Sequence, residues 1–251
     1  MDKEKGQKMI QSVERAVAIL RCFEEQEELG VTEIGEMLGL HKSTAFGLIH
    51  TLRKEKLLWQ NEATGKLRLG IELFRLSAAI KLNLKNICEP YLSELLRITR
   101  ETVNLVVRDE NSVVFIEKKE GPHSVRICTR VGQRLPLYCT AAGKAILAFL
   151  RESEIRGYLA QDNFEPFTEH TLRTAGELRE QLTRIRAEEC AYDMEELEYG
   201  LICVAAPILD RQGYAIAGVS VSGPSIRMGE EIRQSVKKLL LEKTKLIRQE
   251  I

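Results

Sequence analysis

The side chains in this chain that could do covalent or metal chemistry are few and poorly spaced for it. Its four histidines, His41, His50, His123 and His170, lie far apart, and no His-Glu-x-x-His helix motif occurs. Its six cysteines, Cys22, Cys88, Cys128, Cys139, Cys190 and Cys203, include no Cys-x-x-Cys pair. Zinc sites need ligand pairs at short spacing, so no metal site is expected. Cys139 precedes a predicted helix start, where a thiol can be activated. A cysteine nucleophile also needs a base, and His123 and His170 belong to no recognisable motif. Gly-x-Ser-x-Gly and phosphate-loop patterns are absent. The expectation is a protein that is not an enzyme, with no cofactor and reduced, mostly buried thiols.

Two other groupings suit binding. The first is a local excess of positive charge. Residues 24–36 carry six glutamates and no Lys or Arg. Residues 41–68 carry Lys42, Arg53, Lys54, Lys56, Lys66 and Arg68 against Glu55 and Glu62. The whole chain has 37 basic and 37 acidic residues, so any nucleic-acid contact must be made by such a patch. Ser43 and Thr44 sit with Lys42 at a predicted helix start, where hydroxyls and free N–H groups suit phosphates or base edges. The competing reading is simple helix capping on a solvated face.

The second grouping is Thr140-Ala141-Ala142-Gly143 with Ser220 and Ser222. Thr140 is a predicted N-cap. The small residues after it would let a carboxylate reach the helix N–H groups, or would equally let the helix pack close to a sheet. Ser220 and Ser222 alternate with Val219 and Val221, so they share one strand face, as a polar floor or facing solvent.

These groups need elements to hold them. At 251 residues, 44% hydrophobic and 29% charged, the chain folds as one large domain or two modest ones. Helices are predicted at Val13–Phe23 (apolar stripe Val13, Ala16, Val17, Leu20, Phe23), from Thr32 as N-cap with Ile34, Met37 and Leu38 inward, and at Lys42–Lys56. Phe46 or Ala45, with Leu48, Ile49 and Leu52, supplies the buried side of the third helix. Two short strands around Gly65 make a hairpin. Together they form a winged helix-turn-helix over residues 1–70, followed by a linker helix over 71–85. Residues 86–251 alternate differently. They contain a helix Tyr91–Arg100, strands Thr102–Arg108, Ser112–Lys118 and Ser124–Arg130, and helices Thr140–Leu150, Glu154–Ala160 and Gly176–Glu189. Strands Leu201–Leu209 and Tyr214–Ser222 and a closing helix Glu230–Arg248 complete them. Tight turns between strand pairs indicate an antiparallel sheet carrying helices, an α+β fold. The longest apolar run, Leu201–Leu209, contains Pro207 and is too short to span a membrane. With no apolar core after the charged N-terminus, the expectation is a cytoplasmic protein without membrane contact.

Several segments together resemble the IclR family of bacterial transcriptional regulators. They are Gln11-Ser12-Val13-Glu14-Arg15-Ala16, Gly39-Leu40-His41-Lys42-Ser43-Thr44 and Lys66-Leu67-Arg68-Leu69-Gly70. The likeness continues through Leu135-Pro136-Leu137-Tyr138-Cys139-Thr140-Ala141-Ala142-Gly143-Lys144-Ala145 and Glu195 to Pro207, and ends at Val219 to Pro224. The resemblance implies a GAF-like effector-binding domain behind the winged domain. It implies that Ala141, Ala142, Asp193, Cys203, Ser220 and Ser222 surround a small acid, with Ile127, Leu135 and Leu201 as an apolar wall. Asp193 is expected in a loop. Gly47 stands where the family usually has Arg, which removes one expected DNA contact.

The reading is a sequence-specific regulator, a repressor of a catabolic operon, controlled by a small keto or hydroxy acid, a sugar acid included. Lys42, Ser43, Thr44, Phe46, Arg53, Lys66 and Arg68 are the expected contacts to double-stranded operator DNA. The expected assembly is a homodimer through the first and linker helices; relatives also pair dimers into tetramers. The alternatives are an activator of the same family and a protein-interaction adaptor that binds duplexes without sequence preference.

Overall fold

Helix α1 (Gln11–Arg21) is the first regular element of the computed structural model, which describes residues 9–24, 26–78, 83–126, 129–161 and 164–251. The chain divides into two units, residues 1–81 and 82–251. In the first, α1 runs into a 3-10 turn, Cys22–Glu24, and Ile19, Cys22 and Phe23 are buried. Val13 and Val17 belong to the predicted inward stripe but are 57% and 43% exposed, and they continue an apolar face begun by Met9 and Ile10. The stripe is real, but only its C-terminal turn reaches this unit's core. Helix α2 (Val31–Met37) starts from Gly30, whose N–H donates to the Glu33 carboxylate, so Thr32 lies inside the helix rather than capping it. Met37, expected inward, is exposed; Ile34 fills that side. Gly39 at φ +60° makes the turn to α3 (Lys42–Lys54). Ala45, Ile49 and Leu52 face the core at helical spacing, and Phe46 is 62% exposed. Strands β1 (Leu58–Gln60) and β2 (Leu67–Leu69) pair antiparallel to form the wing. Leu29 adds a bridge to Leu67 through two backbone hydrogen bonds.

Helix α4 (Ile71–Ala78) covers the described start of the predicted linker; residues 79–82 lie outside the described residues. Helix α5 (Asn83–Thr99) begins well before the expected Tyr91 and carries Pro90 inside it. Proline costs one helical hydrogen bond; burial of Cys88, Leu92 and Leu95 on either side holds the helix through it.

The second unit is built on six antiparallel strands. They are β3 (Thr102–Asp109), β4 (Ser112–Lys119), β5 (Arg134–Pro136), β6 (Ala191–Met194), β7 (Leu201–Leu209) and β8 (Ala215–Pro224), in the order β5-β4-β3-β8-β7-β6. The α+β expectation holds. Two of its details do not. The described part of Ser124–Arg130 is not a strand, and β5 takes the edge beside β4. Asp193, expected in a loop, sits in edge strand β6 opposite Cys203. One sheet face packs on α5 and α9 (Glu230–Glu250) through Val103, Leu105, Val204, Val219 and Val221. The other packs on α6 (Ala141–Ala148), α7 (Glu152–Leu159) and α8 (Ala175–Glu188) through Val106, Phe115, Cys203 and Ala205. Every residue of β7 is buried, which explains its unbroken apolar sequence. Among the described residues no helix is long and apolar enough to cross a membrane.

Two glycines meet opposite constraints. A Cβ on Gly47, mid-α3, would touch nothing within 4 Å. A Cβ on Gly143 would lie 2.5 Å from the Leu137 carbonyl oxygen. In thermal unfolding, Gly47→Ala is expected to stabilise the protein by about 0.5–1 kcal/mol. Gly143→Ala is expected to destabilise it by about 1–3 kcal/mol, because backbone must shift to admit the methyl group.

Candidate functional site

On the first unit, helix periodicity leaves one side of α3 outward: Lys42, Ser43, Phe46, Gly47, His50, Arg53 and Lys54 are exposed. Thr44 is half-buried. His41 occupies the N-cap position without a side-chain cap bond, and its Nδ1 lies 2.9 Å from the Ser43 hydroxyl. Neither Ser43 nor Thr44 is therefore the cap. The wing tip is tied by Asn61, whose Oδ1 accepts from the Ala63 N–H at 3.0 Å, and by Gln60, which donates to the Gly65 carbonyl. Gly65 adopts φ +70°. Lys66 is exposed. Arg68 stacks its guanidinium 4.1 Å above the Trp59 ring, its cross-strand partner. That cation–π contact holds the charge in place while leaving it exposed.

On the second unit, Ala141, Ala142, Asp193, Cys203, Ser220, Ser222, Leu135 and Leu201 all line one small cavity between α6 and the sheet. Ile127, the ninth expected member, lies outside the described residues. Strand register explains the convergence. Asp193 pairs with Cys203, Cys203 with Ser222, and Ser222 with Thr102, a row crossing four strands. The next row on the same face is Ala205, Ser220 and Asn104. Ser220 and Ser222 are 4% and 3% exposed, so they face the interior rather than solvent.

Sequence reasoning missed the residue at the centre of this floor. The amide of Asn104 lies 3.4 Å from the hydroxyls of Ser220 and Ser222, and its Oδ1 accepts from the Thr129 hydroxyl at 2.8 Å. Thr140 was expected only as a cap. It does cap, accepting from the Gly143 N–H at 3.2 Å, and it donates to the Pro136 carbonyl and lines the cavity as well. Its own carbonyl takes the Lys144 N–H. Among the described residues, the N–H groups of Ala141 and Ala142 have no acceptor. Gly218 lies against the same helix: a Cβ there would be 3.3 Å from the Ala142 carbonyl oxygen. The small residues therefore serve close packing too.

The electrostatics are set by three buried ionisable groups. Lys144 is fully buried, and its ammonium donates to Glu196 and, at 2.8 Å, to Gln181. Asp193 accepts from the Glu196 backbone N–H at 2.7 Å. Asp193 Oδ2 and Glu196 Oε2 are buried and, among the described residues, have no partner. Burial and the neighbouring Glu196 charge push the Asp193 carboxyl up to about 7. Burial also raises Glu196, against the pull of Lys144. The described cysteine thiols are raised by burial, Cys203 and Cys139 among them, which is the opposite of an activated nucleophile. Among the described residues no group of three or more His, Cys, Asp or Glu is placed to hold a metal ion.

The cavity holds about 30 Å³, which is room for water rather than an organic acid. Thr129, Leu135, Leu197 and Leu201 also line an open cleft of about 450 Å³ outside it, together with Arg126 and Gln133. Mostly apolar side chains thus stand between the cavity and solvent.

A winged helix-turn-helix with a cationic outer face, followed by a sheet domain with a helix-capped polar cavity, defines a DNA-binding transcriptional regulator. Residues 12–62 match the IclR helix-turn-helix domain, and residues 76–248 match the bacterial transcriptional regulator IclR C-terminal domain. The chain belongs to the IclR family, whose members are transcriptional regulators rather than enzymes. It is 35% identical over 232 residues to the HTH-type transcriptional regulator KdgR of Dickeya chrysanthemi, covering 92% of this chain and 76% of the relative. It is 34% identical over 229 residues to the HTH-type transcriptional repressor AllR of Salmonella typhi, covering 90% and 84%. An IclR homolog from Microbacterium hydrocarbonoxydans, solved in complex with 4-hydroxybenzoate, shares the fold at TM-score 0.83 and 23% identity, covering 95% and 98%.

The Lys144–Glu196 pair generates a prediction. Removing one member of a buried pair strands the other charge. Lys144→Met is therefore expected to destabilise the protein by about 3–5 kcal/mol in urea unfolding. Adding Glu196→Leu to Lys144→Met is expected to recover most of that loss.

Proposed function

We propose that this regulator is a cytoplasmic, non-enzymatic repressor that reads an operator as a homodimer and releases it when a small carboxylate occupies the sheet cavity. The observation that carries the reading is the outer face of α3, where Lys42, Ser43, Phe46 and Arg53 are exposed together above a wing bearing Lys66 and Arg68. In a winged domain such a helix enters the major groove while the wing meets phosphates. Thr44 is a smaller contributor, because part of it is buried. Gly47 contributes no side chain, so base reading falls more heavily on its neighbours. Repression, rather than activation, is favoured by the relative named as a repressor.

The effector reading is supported by the two free N–H groups at Ala141 and Ala142, which suit a carboxylate. Ser220, Ser222 and Asn104 supply hydrogen bonds to its other oxygens, and Leu135 and Leu201 supply the apolar wall. A small acid fits this chemistry, and 4-hydroxybenzoate in the Microbacterium homolog is one such acid. Entry requires displacement of Leu135, Leu197 or Leu201, which line both the cavity and the outer cleft.

Dimerisation is supported by apolar surface on two helices of the winged unit. Met9, Ile10, Val13 and Val17 are exposed on and before α1, and Ile71, Phe74 and Leu76 on α4. Phe23, Trp59 and Leu69 line a groove with Ile71 and Phe74. A second copy covering these residues pairs two α3 helices on two half-sites. The effector acts by binding unequally to two spacings of that pair; moving the balance from 1:99 to 99:1 takes about 5.5 kcal/mol.

Mapping the protein's binding sites on its own genome supplies the operator and the neighbouring genes. On that operator, Lys42→Ala with Arg53→Ala is expected to weaken binding and lower the salt-dependence slope by about two per protomer, read by fluorescence anisotropy. An unchanged slope removes this helix from the interface. Ser220→Ala with Ser222→Ala is expected to abolish release by cell-metabolite extract while leaving operator binding by the free protein intact. A normal release would take both serines out of the effector site. Salt-sensitive binding without sequence preference would favour the adaptor reading instead.

A further inference from the structure

The buried charges around the cavity do not balance, and the imbalance bears on how an acid can bind there; the inference rests on reading this cavity as the effector site. Among the described residues that line it, Asp193 is the one ionisable carboxylate, 1% exposed, and behind it lie Glu196 and Lys144, exposed by 4% and 0%. The one ammonium is engaged by Glu196 and Gln181. Asp193 spends Oδ1 on the Glu196 N–H and keeps Oδ2 buried without a partner among the described residues. An ionised Asp193 would set a third negative charge, with Glu196 and the effector, against the Lys144 ammonium, around a cavity of about 30 Å³.

We infer that Asp193 works as a neutral carboxylic acid whose Oδ2–H donates to an oxygen of the bound monocarboxylate, so that each effector enters together with one proton from solvent. The pairing turns a repulsion into a hydrogen bond and satisfies the orphaned oxygen. It also sets specificity. The group meeting Asp193 must be an acceptor, a keto or carboxylate oxygen, and an ammonium or guanidinium is disfavoured. This differs from the ordinary expectation of an ionised aspartate seeking a donor.

The surroundings agree. Burial is the largest influence on Asp193, then the Glu196 charge, opposed by the backbone N–H of Glu196, by Lys144 and by the backbone N–H of Leu197, with the result at about 7. Cys203, opposite it on β7, and Cys139, before α6, stay protonated because burial raises both. His170, Arg184 and Glu188 line an open groove that Glu196 also lines. An acid raised from 3.8 to about 7 is protonated below neutrality. Effector affinity is therefore flat under acid conditions and falls as pH rises through 7. Between about pH 6 and pH 8.5 the fall is roughly thirty-fold.

Two measurements decide it. Carbon-13 NMR of the unliganded protein with labelled aspartate, assigned through Asp193→Asn, is expected to show a carboxyl titrating near neutrality. Glu196→Gln is expected to lower that midpoint. A wild-type midpoint below about 5 overturns the inference. Calorimetric titration with pyruvate and with 4-hydroxybenzoate, in two buffers of different ionisation heat, is expected to show uptake approaching one proton at about pH 8.5. It is also expected to show the thirty-fold fall, flattened to less than about threefold in Asp193→Asn. Equal wild-type affinity at both pH values with no proton uptake overturns it. If neither acid binds at either pH, the effector reading fails instead, and the NMR midpoint alone decides the proton.

Discussion

Helix α6 lies against β7 and β8 with all eight of its residues buried, Lys144 included. A helix start in that position leaves N–H groups facing the interior, and an ammonium there must find a carboxylate. Thr140 takes up the Gly143 and Lys144 N–H groups, and Glu196 takes the ammonium. What is left over is what a ligand can use: two N–H groups at Ala141 and Ala142 and the Asp193 oxygen without a partner. The same small side chains that let the helix approach the sheet expose its amides. Close packing and binding, which compete as explanations of Ala-Ala-Gly, describe one geometry.

The floor beneath that helix depends on strand register. Asp193, Cys203, Ser222 and Thr102 come from four strands separated by long stretches of chain, and antiparallel pairing sets them in one row. A slip of one residue would turn Ser220 and Ser222 toward α5 and α9 and put Val219 and Val221 in the cavity. The Asn104 amide then joins the serines to Thr129. The winged unit follows another rule. Its α3 keeps three small or aliphatic residues inward, Ala45, Ile49 and Leu52, and leaves every cation on the outside. Position along a helix, rather than fold-wide charge, concentrates the positive field in a chain whose net charge is zero.

Much of this was legible beforehand, where the pattern was periodic. The three helices and the wing followed from apolar spacing and a glycine turn. The alternation of Val219, Ser220, Val221 and Ser222 announced a two-faced strand. Legibility failed where a short or exceptional element broke the pattern. Strand β6 has four residues and no alternation long enough to recognise, so Asp193 read as loop. The expected helix begins only at Tyr91, yet α5 starts at Asn83 and runs through Pro90. Val13 and Val17 made a stripe that the core of the winged unit does not bury. Asn104 was hidden in a β-branched run, and lysine is so seldom buried that the burial of Lys144 was not legible.

The sequence by itself determined most local elements and the chemical character of each candidate position, because helix and strand periods and capping residues act over a few neighbours; the family was legible separately, from the segments that resemble it. The tertiary structure decided which of those positions meet, which strand Asp193 joins, and how many charges share the space around it. Those outcomes depend on pairing between distant segments and on burial, and no short-range rule carries either.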